Sequence, residues 1–304
     1  MTSDMAALRA ALPYIRSYKD KCFVVKLAGE LCKRGAQLDH VAEQLGVLHQ
    51  VGIRLVVVHG GGKQATDLAD RLGVKSEFVN GRRITSEEML EVAKMAFAGT
   101  VNTDIIATMC RQGVPAVGLS GIDAGLVKAK RRPPVKLKDP GTGEIRQVDF
   151  GFVGDLQSTD CSVLHDLLAV GYVPVICSLA ADDSGQALNV NADTLASRLA
   201  QDLGATKYIL LSAVDGVMHD RNDPSTLIPE LDIARAESLI ATGVITGGML
   251  PKITTCIEAL QGGVPRVHIV NGLAREALLR EIFTNEGSGT LILPGTPLKQ
   301  QSES

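Results

Sequence analysis

Residues 55–63, Leu-Val-Val-Val-His-Gly-Gly-Gly-Lys, constrain the fold of this chain more than any other stretch. An apolar run ends in His59 and three glycines, and residues 65–72 then have the apolar spacing of an amphipathic helix. Glycine lacks a Cβ, so backbone N–H groups in such a turn can approach an anion beside the positive end of a helix. The stretch predicts a parallel strand, a glycine turn and a helix. The turn either binds an anion or contains glycines only because the chain packs tightly there. It matches neither the P-loop nor the dinucleotide fingerprint.

Composition limits the classes of protein to consider. With 304 residues, of which 45% are hydrophobic and 21% charged, we expect a globular protein of one large or two medium domains. A net charge of −3 argues against nucleic-acid and membrane-surface partners. The sequence shows no leader-like or membrane-spanning apolar run, so we expect a cytoplasmic protein. Six dispersed cysteines without Cys-x-x-Cys pairs predict reduced thiols. Small molecules are therefore the expected partners.

Strand and helix patterns alternate along the whole chain. We predict strands at 22–27, 55–59, 114–119, 173–178, 208–212, 267–270 and 290–293, and helices at 5–18, 39–50, 65–72, 89–109, 163–170, 191–203, 233–241 and 275–283. Residues 127–148, with a turn at Asp139-Pro140-Gly141, predict β-hairpins. This order predicts a three-layer α/β/α sandwich with a mostly parallel central sheet and two lobes that join near residues 191–203.

Two groups of polar residues are predicted to lie at the edge of that sheet where ligands bind. Lys26 lies near the end of the first predicted strand, where it is a candidate phosphate contact or a lysine that only extends to solvent. Asn189, Asn191 and Asp193 alternate, so an extended backbone would turn them to one face, although Asn191 or Asp193 could instead cap the following helix.

Two further basic residues lie at predicted turns. Arg83 belongs to the turn at residues 80–85 and could bind a carboxylate bidentately or stay solvated. Thr85 with Glu88 forms a capping-box pattern at the start of the long helix. Lys252 ends a second glycine-bearing segment, residues 243–252, at a predicted helix start.

These residues together suit phosphoryl transfer. Its transition state spreads negative charge over equatorial oxygens, so a protein needs positioned cations and backbone N–H groups more than a nucleophile. Lys26 and Lys252 come from the two predicted lobes, the glycine turn lies between them, and Asp193 can orient both lysines.

Five segments carry a family resemblance: 25–29 (Val-Lys-Leu-Ala-Gly), 58–62 (Val-His-Gly-Gly-Gly), 80–85 (Asn-Gly-Arg-Arg-Ile-Thr), 189–193 (Asn-Val-Asn-Ala-Asp) and 246–252 (Thr-Gly-Gly-Met-Leu-Pro-Lys). In order and spacing they resemble the motifs of the N-acetyl-L-glutamate kinases, a branch of the amino-acid kinase family. The resemblance extends over about residues 14–293. It implies ATP-dependent phosphorylation of the γ-carboxylate of N-acetyl-L-glutamate in arginine biosynthesis, with Mg²⁺ held mainly by ATP and water.

The resemblance also implies roles by position. Lys26 and Lys252 would stabilise the moving phosphoryl group, and Asp193 would hold both lysines. Substrate contacts would come from Gly61, Gly62, Arg83 and Asn189, and nucleotide contacts from Gly29, Gly248 and Lys252, with no protein metal ligand. Residues 21–192 would form the lobe for substrate binding and dimerisation, and residues 193–304 the lobe for ATP and arginine.

Residues 12–16 and 281–287 resemble elements of the arginine-inhibited, hexameric members. By that resemblance four residues would surround the inhibitor arginine: Tyr14, His268, Glu281 and Gly287. The helix within residues 1–20 would link dimers into a hexamer, whereas a helix packed only on its own subunit is the simpler interpretation. Pro13 is expected to kink or end this helix.

Three departures from the family pattern leave alternatives open. Ala28 stands where the first lysine motif has a glycine, Ala213 stands where a carboxylate is usual, and Ile122 replaces a common lysine. A weakly active arginine-sensing module is therefore one alternative. A kinase of a longer N-acylated amino acid, of the aminoadipate type, is another, because one methylene changes binding by only ~1–3 kcal/mol.

Overall fold

The computed structural model describes residues 2–138 and 144–295, so the turn predicted at residues 139–141 lies outside the described residues. The helices are α1 (Thr2–Tyr18), α2 (Ala36–Gln50), α3 (Gly62–Leu72), α4 (Glu87–Lys94), α5 (Asn102–Arg111), α6 (Ser162–Ala169), α7 (Ala192–Asp202), α8 (Ile233–Ala241), α9 (Met249–Gln261) and α10 (Ala277–Phe283). No helix within these residues is long and apolar enough to span a membrane.

The strands include every one that the sequence predicted, with short additional ones. They are β1 (Cys22–Leu27), β2 (Arg54–His59), β3 (Glu77–Val79), β4 (Arg82–Ile84), β5 (Ala116–Ser120), β6 (Val127–Arg131), β7 (Val135–Lys138), β8 (Ile145–Val148), β9 (Gly154–Thr159), β10 (Val173–Cys177), β11 (Leu179–Ala181), β12 (Ala187–Asn189), β13 (Lys207–Ser212), β14 (Glu230–Asp232), β15 (Val267–Asn271) and β16 (Thr290–Leu293).

Within the described residues, eight strands form the central sheet in the order β14-β16-β15-β13-β1-β2-β10-β5. Every neighbouring pair is parallel except β15 with β16, which confirms the predicted, mostly parallel sheet. Lys26 in β1 is in register with Val58 in β2 and Leu210 in β13. The carboxyl ends of these three strands therefore meet at one edge, where open parallel sheets bind ligands.

Both faces of the sheet are covered, because side chains alternate along each strand. In β2, Val56 and Val58 pack into a core with residues of α6, α7 and α9. Leu55 and Val57 pack into a second core with residues of α2, α5 and α10. Burying one such side chain stabilises the fold by ~1.5–3 kcal/mol, so apolar strand residues hold helices on both sides. The predicted three-layer α/β/α sandwich is confirmed.

The two halves of the chain occupy separate halves of the sheet. Strands β1, β2, β5 and β10 precede residue 193, strands β13 to β16 follow it, and the halves meet where β1 pairs with β13. The β-rich segment predicted at residues 127–148 forms β6, which pairs with β9, and an antiparallel pair of β7 with β8. The division into two lobes stays a prediction, and the pair of β1 with β13 is where the two lobes would join.

Helix ends differ from the predictions in three places. Ser86, not Thr85, caps α4, because its Oγ accepts a hydrogen bond from the Met89 N–H at 3.2 Å. Thr85 is fully buried and its backbone bonds to Phe150 and Phe152, so it ends a strand-like segment instead. The helix α1 continues through Pro13, and α3 begins at Gly62, inside the glycine turn.

The long helix predicted at residues 89–109 is present as one helical stretch of three parts. Between α4 and α5 the segment Met95–Val101 has π-helical hydrogen bonding. Asn102, which follows this segment directly, is the first residue of α5 and is buried.

Candidate active site

Two lysines and one aspartate meet at the carboxyl edge of the sheet. The Nζ of Lys26 lies 2.6 Å from Oδ1 of Asp193, and the Nζ of Lys252 lies 3.6 Å from Oδ2 of the same carboxylate. Lys26 comes from β1, Asp193 from the first turn of α7 and Lys252 from the first turn of α9. The structure therefore brings together the three residues that the sequence analysis assigned to phosphoryl transfer.

Asp193 is held in place by the start of its helix. The Oδ1 of Asn191 accepts hydrogen bonds from the N–H groups of Asp193 and Thr194, at 2.8 and 2.9 Å, so Asn191 caps α7 as one prediction had it. Burial alone would raise the pKa of Asp193, but the charges and hydrogen bonds of Lys26 and Lys252 hold that pKa below its ordinary value. The carboxylate is thus ionised and bridges two cations.

A cavity of about 280 Å³ opens beside this cluster. Its lining residues come from the first lysine turn, the end of β13 and the start of α9: Ala28, Glu30, Ser212, Ala213, Val214, Gly248, Met249 and Lys252. Ala28 has φ −67° and ψ 151°, so this position needs no glycine for its backbone conformation. The two alanines that depart from the family pattern both line the cavity, where Ala28 adds a methyl group and Ala213 supplies no carboxylate.

In the glycine turn the carbonyl groups of Gly60, Gly61 and Gly62 all accept hydrogen bonds from within the protein. A Cβ at Gly61 would lie 2.7 Å from Cδ1 of Phe97, so no larger residue fits there without a shift. The Gly61 carbonyl accepts from the Ala65 N–H at 2.7 Å. Within residues 2–138 and 144–295 the N–H of Gly61 has no hydrogen-bond acceptor. This arrangement suits a ligand oxygen.

The first lysine turn and the glycine turn are joined directly. The Nε2 of Gln64, in the first turn of α3, donates to the Gly29 carbonyl at 2.7 Å. Gly29 begins a short 3₁₀ helix that follows β1. The two segments predicted to bind phosphate or carboxylate oxygens are therefore fixed relative to each other.

Arg83 lies against the glycine turn and is half-buried. Its Nη2 donates to the Gly62 carbonyl at 2.7 Å and to Thr66 Oγ1 at 2.6 Å, and its Nη1 donates to Ser76 Oγ at 2.9 Å. The guanidinium also lies 4.6 Å from the centre of the Phe78 ring, and burial lowers its pKa. The alternative of a freely solvated arginine is wrong.

Asn189 lies at the end of β12, on the same side as Arg83. Its Nδ2 donates to Thr85 Oγ1 at 3.2 Å, and its N–H donates to the Phe152 carbonyl. Sequence reasoning assigned Thr85 only to a helix cap and missed this contact, because nothing local relates residues so far apart in the chain.

The donor set near the lysines does not form a metal cage. No three His, Cys, Asp or Glu side chains lie together as metal ligands in the part of the chain that the structure describes. The carboxylate of Asp193 already faces two ammonium groups. The residues present thus fit a Mg²⁺ ion that is bound mainly by nucleotide phosphates and water.

A second polar cluster lies at the opposite edge of the sheet. The Nδ1 of His268 in β15 donates to Oε1 of Glu281 in α10 at 2.7 Å, and Lys207 Nζ donates to His268 Nε2 at 2.8 Å. Oε2 of Glu281 accepts from the N–H groups of Ser288 and Gly289. Lys207 was not identified from the sequence, because it begins an ordinary strand pattern.

The other two residues of the predicted inhibitor set border this cluster. The hydroxyl of Tyr14 in α1 donates to Asn285 Oδ1, in the loop that follows α10. Gly287 has φ 65°, and a Cβ there would lie 2.9 Å from Oε2 of Glu281. The structure thus brings all four predicted residues to one region, between α1 and α10.

Burial and hydrogen bonding determine the charges in the second cluster. Burial lowers the pKa of Lys207 to about 8 and lowers the pKa of His268, so the histidine is neutral. Burial alone would raise the pKa of Glu281, but bonds from His268 and two backbone N–H groups bring that pKa below its ordinary value. Glu281 is therefore a buried, ionised carboxylate whose two oxygens accept hydrogen bonds from His268 and from two backbone N–H groups.

Strand β13 connects the two clusters. Its first residue, Lys207, belongs to the second cluster, and the hydroxyl of the next residue, Tyr208, donates to the Asp193 carbonyl at 3.2 Å. Tyr208 is fully buried, so its ring passes through the core to the first cluster.

Comparisons with known proteins agree on one family. A family model described as the amino acid kinase family matches residues 21–271. The chain is 44% identical over 288 residues to an acetylglutamate kinase of Myxococcus xanthus, covering 95% of this chain and 94% of that protein. It is 43% identical to an acetylglutamate kinase of Symbiobacterium thermophilum, covering 95% of this chain and 97% of that protein.

Among solved structures, the chain is similar to the N-acetylglutamate synthase of Neisseria gonorrhoeae complexed with coenzyme A and L-arginine. The TM-score is 0.81 at 30% sequence identity, covering 96% of this chain and 66% of the synthase chain. The alignment with this chain therefore covers just under two thirds of the length of the synthase chain.

Proposed function

The chain belongs to the amino acid kinase family, and from that membership we propose that it transfers the γ-phosphoryl group of ATP to the γ-carboxylate of N-acetyl-L-glutamate. The product would be N-acetyl-L-glutamyl 5-phosphate, an intermediate of arginine biosynthesis. The observation that carries the proposal is the ion pair of Asp193 with Lys26 and Lys252 next to the glycine turn. Relatives named acetylglutamate kinase, which align over nearly the whole chain, support the choice of substrate.

The two lysines would supply the electrostatic part of catalysis. Lys26 and Lys252 approach Asp193 from β1 and α9, so the carboxylate keeps two flexible ammonium groups near one point. Charge on the equatorial oxygens develops in the transition state, and a preorganised cation lowers its energy without moving at the moment of reaction. Asp193 is thus a positioning residue for both lysines.

The acceptor would bind between the glycine turn and the β-rich segment. We propose that the N–H groups of Gly61 and Gly62 bind carboxylate or phosphate oxygens, that Arg83 pairs with the substrate α-carboxylate and that Asn189 binds the acetamido group. Arg83 and the glycine turn are in direct contact through the Gly62 carbonyl, which supports a shared site.

The nucleotide would bind on the half of the sheet that follows residue 193. The cavity beside Lys252 includes Gly248, and Gly29 begins the segment that borders it. Mg²⁺, which ATP would bring with it, supplies charge neutralisation of the phosphates when bound. We accordingly assign residues 21–192 to the acyl amino acid and dimerisation, and residues 193–304 to ATP and regulation.

We further propose that arginine inhibits the enzyme at the second cluster, and that residues 1–20 link dimers into a hexamer. The ionised, buried Glu281 beside Tyr14 and Gly287 suits a guanidinium ligand, which forms strong charge-assisted bonds to carboxylates. The gonococcal synthase that this chain resembles was solved with L-arginine. Six free thiols agree with a cytoplasmic enzyme.

The experiment that tests the proposal is ATP-dependent acyl-phosphate formation, trapped with hydroxylamine. N-acetyl-L-glutamate and N-acetyl-aminoadipate are compared in parallel, each with and without arginine. We expect turnover with N-acetyl-L-glutamate that arginine suppresses. Higher kcat/KM with the longer acceptor would instead assign the aminoadipate-type reaction, and no turnover with either would favour an arginine-sensing module.

A further inference from the structure

His59 and Asn102 form a buried pair directly beneath the glycine turn. His59 is the last residue of β2 and is fully buried, and Asn102 is 4% exposed. The Nδ1 of His59 lies 2.7 Å from the carbonyl oxygen of Gly60, and the Nε2 lies 3.1 Å from the Nδ2 of Asn102. The same Nδ2 lies 3.0 Å from the Val175 carbonyl oxygen of β10 and 3.3 Å from the Leu119 carbonyl oxygen of β5.

The partners of the ring determine where its proton lies. A carbonyl oxygen only accepts a hydrogen bond, so Nδ1 of His59 carries the hydrogen that Gly60 accepts. Nε2 then accepts from the amide of Asn102, whose orientation is set by the Val175 carbonyl. Burial lowers the pKa of His59 to about 4, so the ring is neutral in this tautomer.

Space for Asn102 depends on a glycine in the edge strand. A Cβ at Gly118 in β5 would lie 2.1 Å from Oδ1 of Asn102 and 2.3 Å from Cδ1 of Ile106. The absence of a side chain at Gly118 therefore allows Asn102 to lie against the sheet and reach His59. Neither Asn102 nor Gly118 belongs to the motifs of the proposed active site.

The bond to Gly60 sets the direction of the next amide group. In a planar trans peptide the carbonyl oxygen and the following N–H point in opposite directions. Because the Gly60 carbonyl is held by His59 from within the core, the Gly61 N–H faces the opposite way. The carbonyls of Gly61 and Gly62 are also bonded, to the Ala65 N–H and to Arg83, which leaves the Gly61 N–H for a ligand.

We propose that His59 and Asn102 are positioning residues, which hold the Gly60–Gly61 peptide so that the Gly61 N–H donates to the acyl phosphate as it forms. This inference rests on the proposed function, which assigns Gly61 to the reacting oxygens. A donor that is aligned before reaction stabilises developing charge, whereas a freely rotating one must first be ordered.

The wild-type protein alone gives a first test. In ¹⁵N-labelled protein we expect the His59 ring to show a protonated Nδ1 and an unprotonated Nε2, with the resonance assigned by its loss in a His59→Gln variant. A ring protonated at Nε2 alone would overturn the proposal. The result does not depend on activity, so it tests the hydrogen bond from His59 to the Gly60 carbonyl separately from the proposed reaction.

Substitutions then test the link to turnover. An asparagine amide occupies the place of Nδ1 in histidine and a glutamine amide that of Nε2, so His59→Asn keeps a donor for Gly60 and His59→Gln does not. We expect His59→Gln and Asn102→Leu to lower kcat at least tenfold with KM within threefold, and His59→Asn to recover most of kcat. The Gly61 amide resonance should shift in the two impaired variants.

Thr108→Val is the matched control, because Thr108 is buried in the same helix as Asn102 and bonds only locally to the Asp104 carbonyl. It should leave kcat and the Gly61 resonance unchanged. Equal losses in His59→Asn and His59→Gln, or a Gly61 resonance that no substitution moves, would show that the pair only fills the core. Wild-type protein without acyl-phosphate formation would refute the proposed function and the role of Gly61 in it, while the tautomer and the Gly61 resonance would still test whether His59 and Asn102 hold the Gly60–Gly61 peptide.

Discussion

Individual side chains at the proposed active site act through charge more than through covalent chemistry. Lys26 and Lys252 share one carboxylate, and each is anchored by a different element of the fold. A contact that strengthens only in the transition state changes kcat, whereas one that is equally strong for bound substrate changes KM. The geometry therefore predicts which kinetic constant each lysine controls.

We expect Lys26→Ala and Lys252→Ala to lower kcat roughly 100-fold or more and to change KM for both substrates only a few-fold, because charge stabilisation is lost mainly in the transition state. Steady-state kinetics of acyl-phosphate formation measure both constants. Lys75→Ala is the control, since the Lys75 side chain is 84% exposed and pairs only with Glu77. A kcat for Lys26→Ala within threefold of wild type would contradict the assigned role.

The buried His59 gives a prediction about acid stability. Its pKa is lowered from 6.5 to about 4, mainly by burial, so the unfolded chain binds a proton between these values and the folded one does not. The stability from this group is complete above pH ~6.5 and is lost as pH falls towards 4, a change of roughly 3 kcal/mol. Urea unfolding from pH 7 to 4 should therefore be less pH-dependent in His59→Asn than in wild type. Identical slopes would mean that folding does not lower the pKa of His59.

Among the elements, β13 and α10 place the second cluster within reach of the first. Lys207 and Tyr208 are consecutive in β13 but project to opposite faces, one towards His268 and the other towards Asp193. Glu281 is fixed by α10 and by the loop that returns after it. Consecutive residues of β13 therefore contact the two clusters, Lys207 the second and Tyr208 the first.

We expect Glu281→Gln to raise the arginine concentration for half-inhibition at least tenfold, because a guanidinium loses its ionised partner while the side chain keeps its shape. Inhibition curves at fixed substrate concentrations measure the effect. Glu286→Gln, an exposed change in the same loop, should leave the curve in place. Unaltered inhibition in Glu281→Gln would remove Glu281 from the inhibitor site.

For the whole molecule, α1 is the element on which both the proposed hexamer and the proposed arginine inhibition depend. It lies outside the central sheet, and its last turn packs on the core, where the rings of Tyr18 and Phe23 meet edge to face at 5.3 Å. Tyr14, one turn earlier, reaches the loop beyond α10. Under the proposed regulation, α1 would order the loop that follows α10 through Tyr14.

Deletion of residues 1–13 should therefore reduce the assembly from hexamer to dimer and weaken arginine inhibition, while Tyr14 and Tyr18 stay in the chain. Light scattering gives the mass, and the acyl-phosphate assay gives the inhibition. Substitution Tyr14→Phe is the companion variant, because it removes only the hydroxyl bond to Asn285 and should keep the hexamer. An unchanged mass after the deletion would contradict the role of α1 in assembly.

The sequence by itself determined the order of strands and helices, the glycine turn and the candidates Lys26, Asp193 and Lys252. These follow from local periodicity, from the backbone freedom of glycine and from the rule that parallel strands present ligands at their carboxyl ends. The structure confirmed that the two lysines and the aspartate meet. Local patterns were less reliable for helix caps: Ser86 rather than Thr85 caps α4, because the backbone of Thr85 is engaged by Phe150 and Phe152.

Only the tertiary structure decided which distant polar groups become partners. Asn102 meets His59 across 43 positions of sequence, and Lys207 meets His268 across 61. Such pairs depend on strand register and on the space left by Gly118, neither of which has a local signature. Burial then sets their protonation, because desolvation acts only on groups that the fold has removed from water.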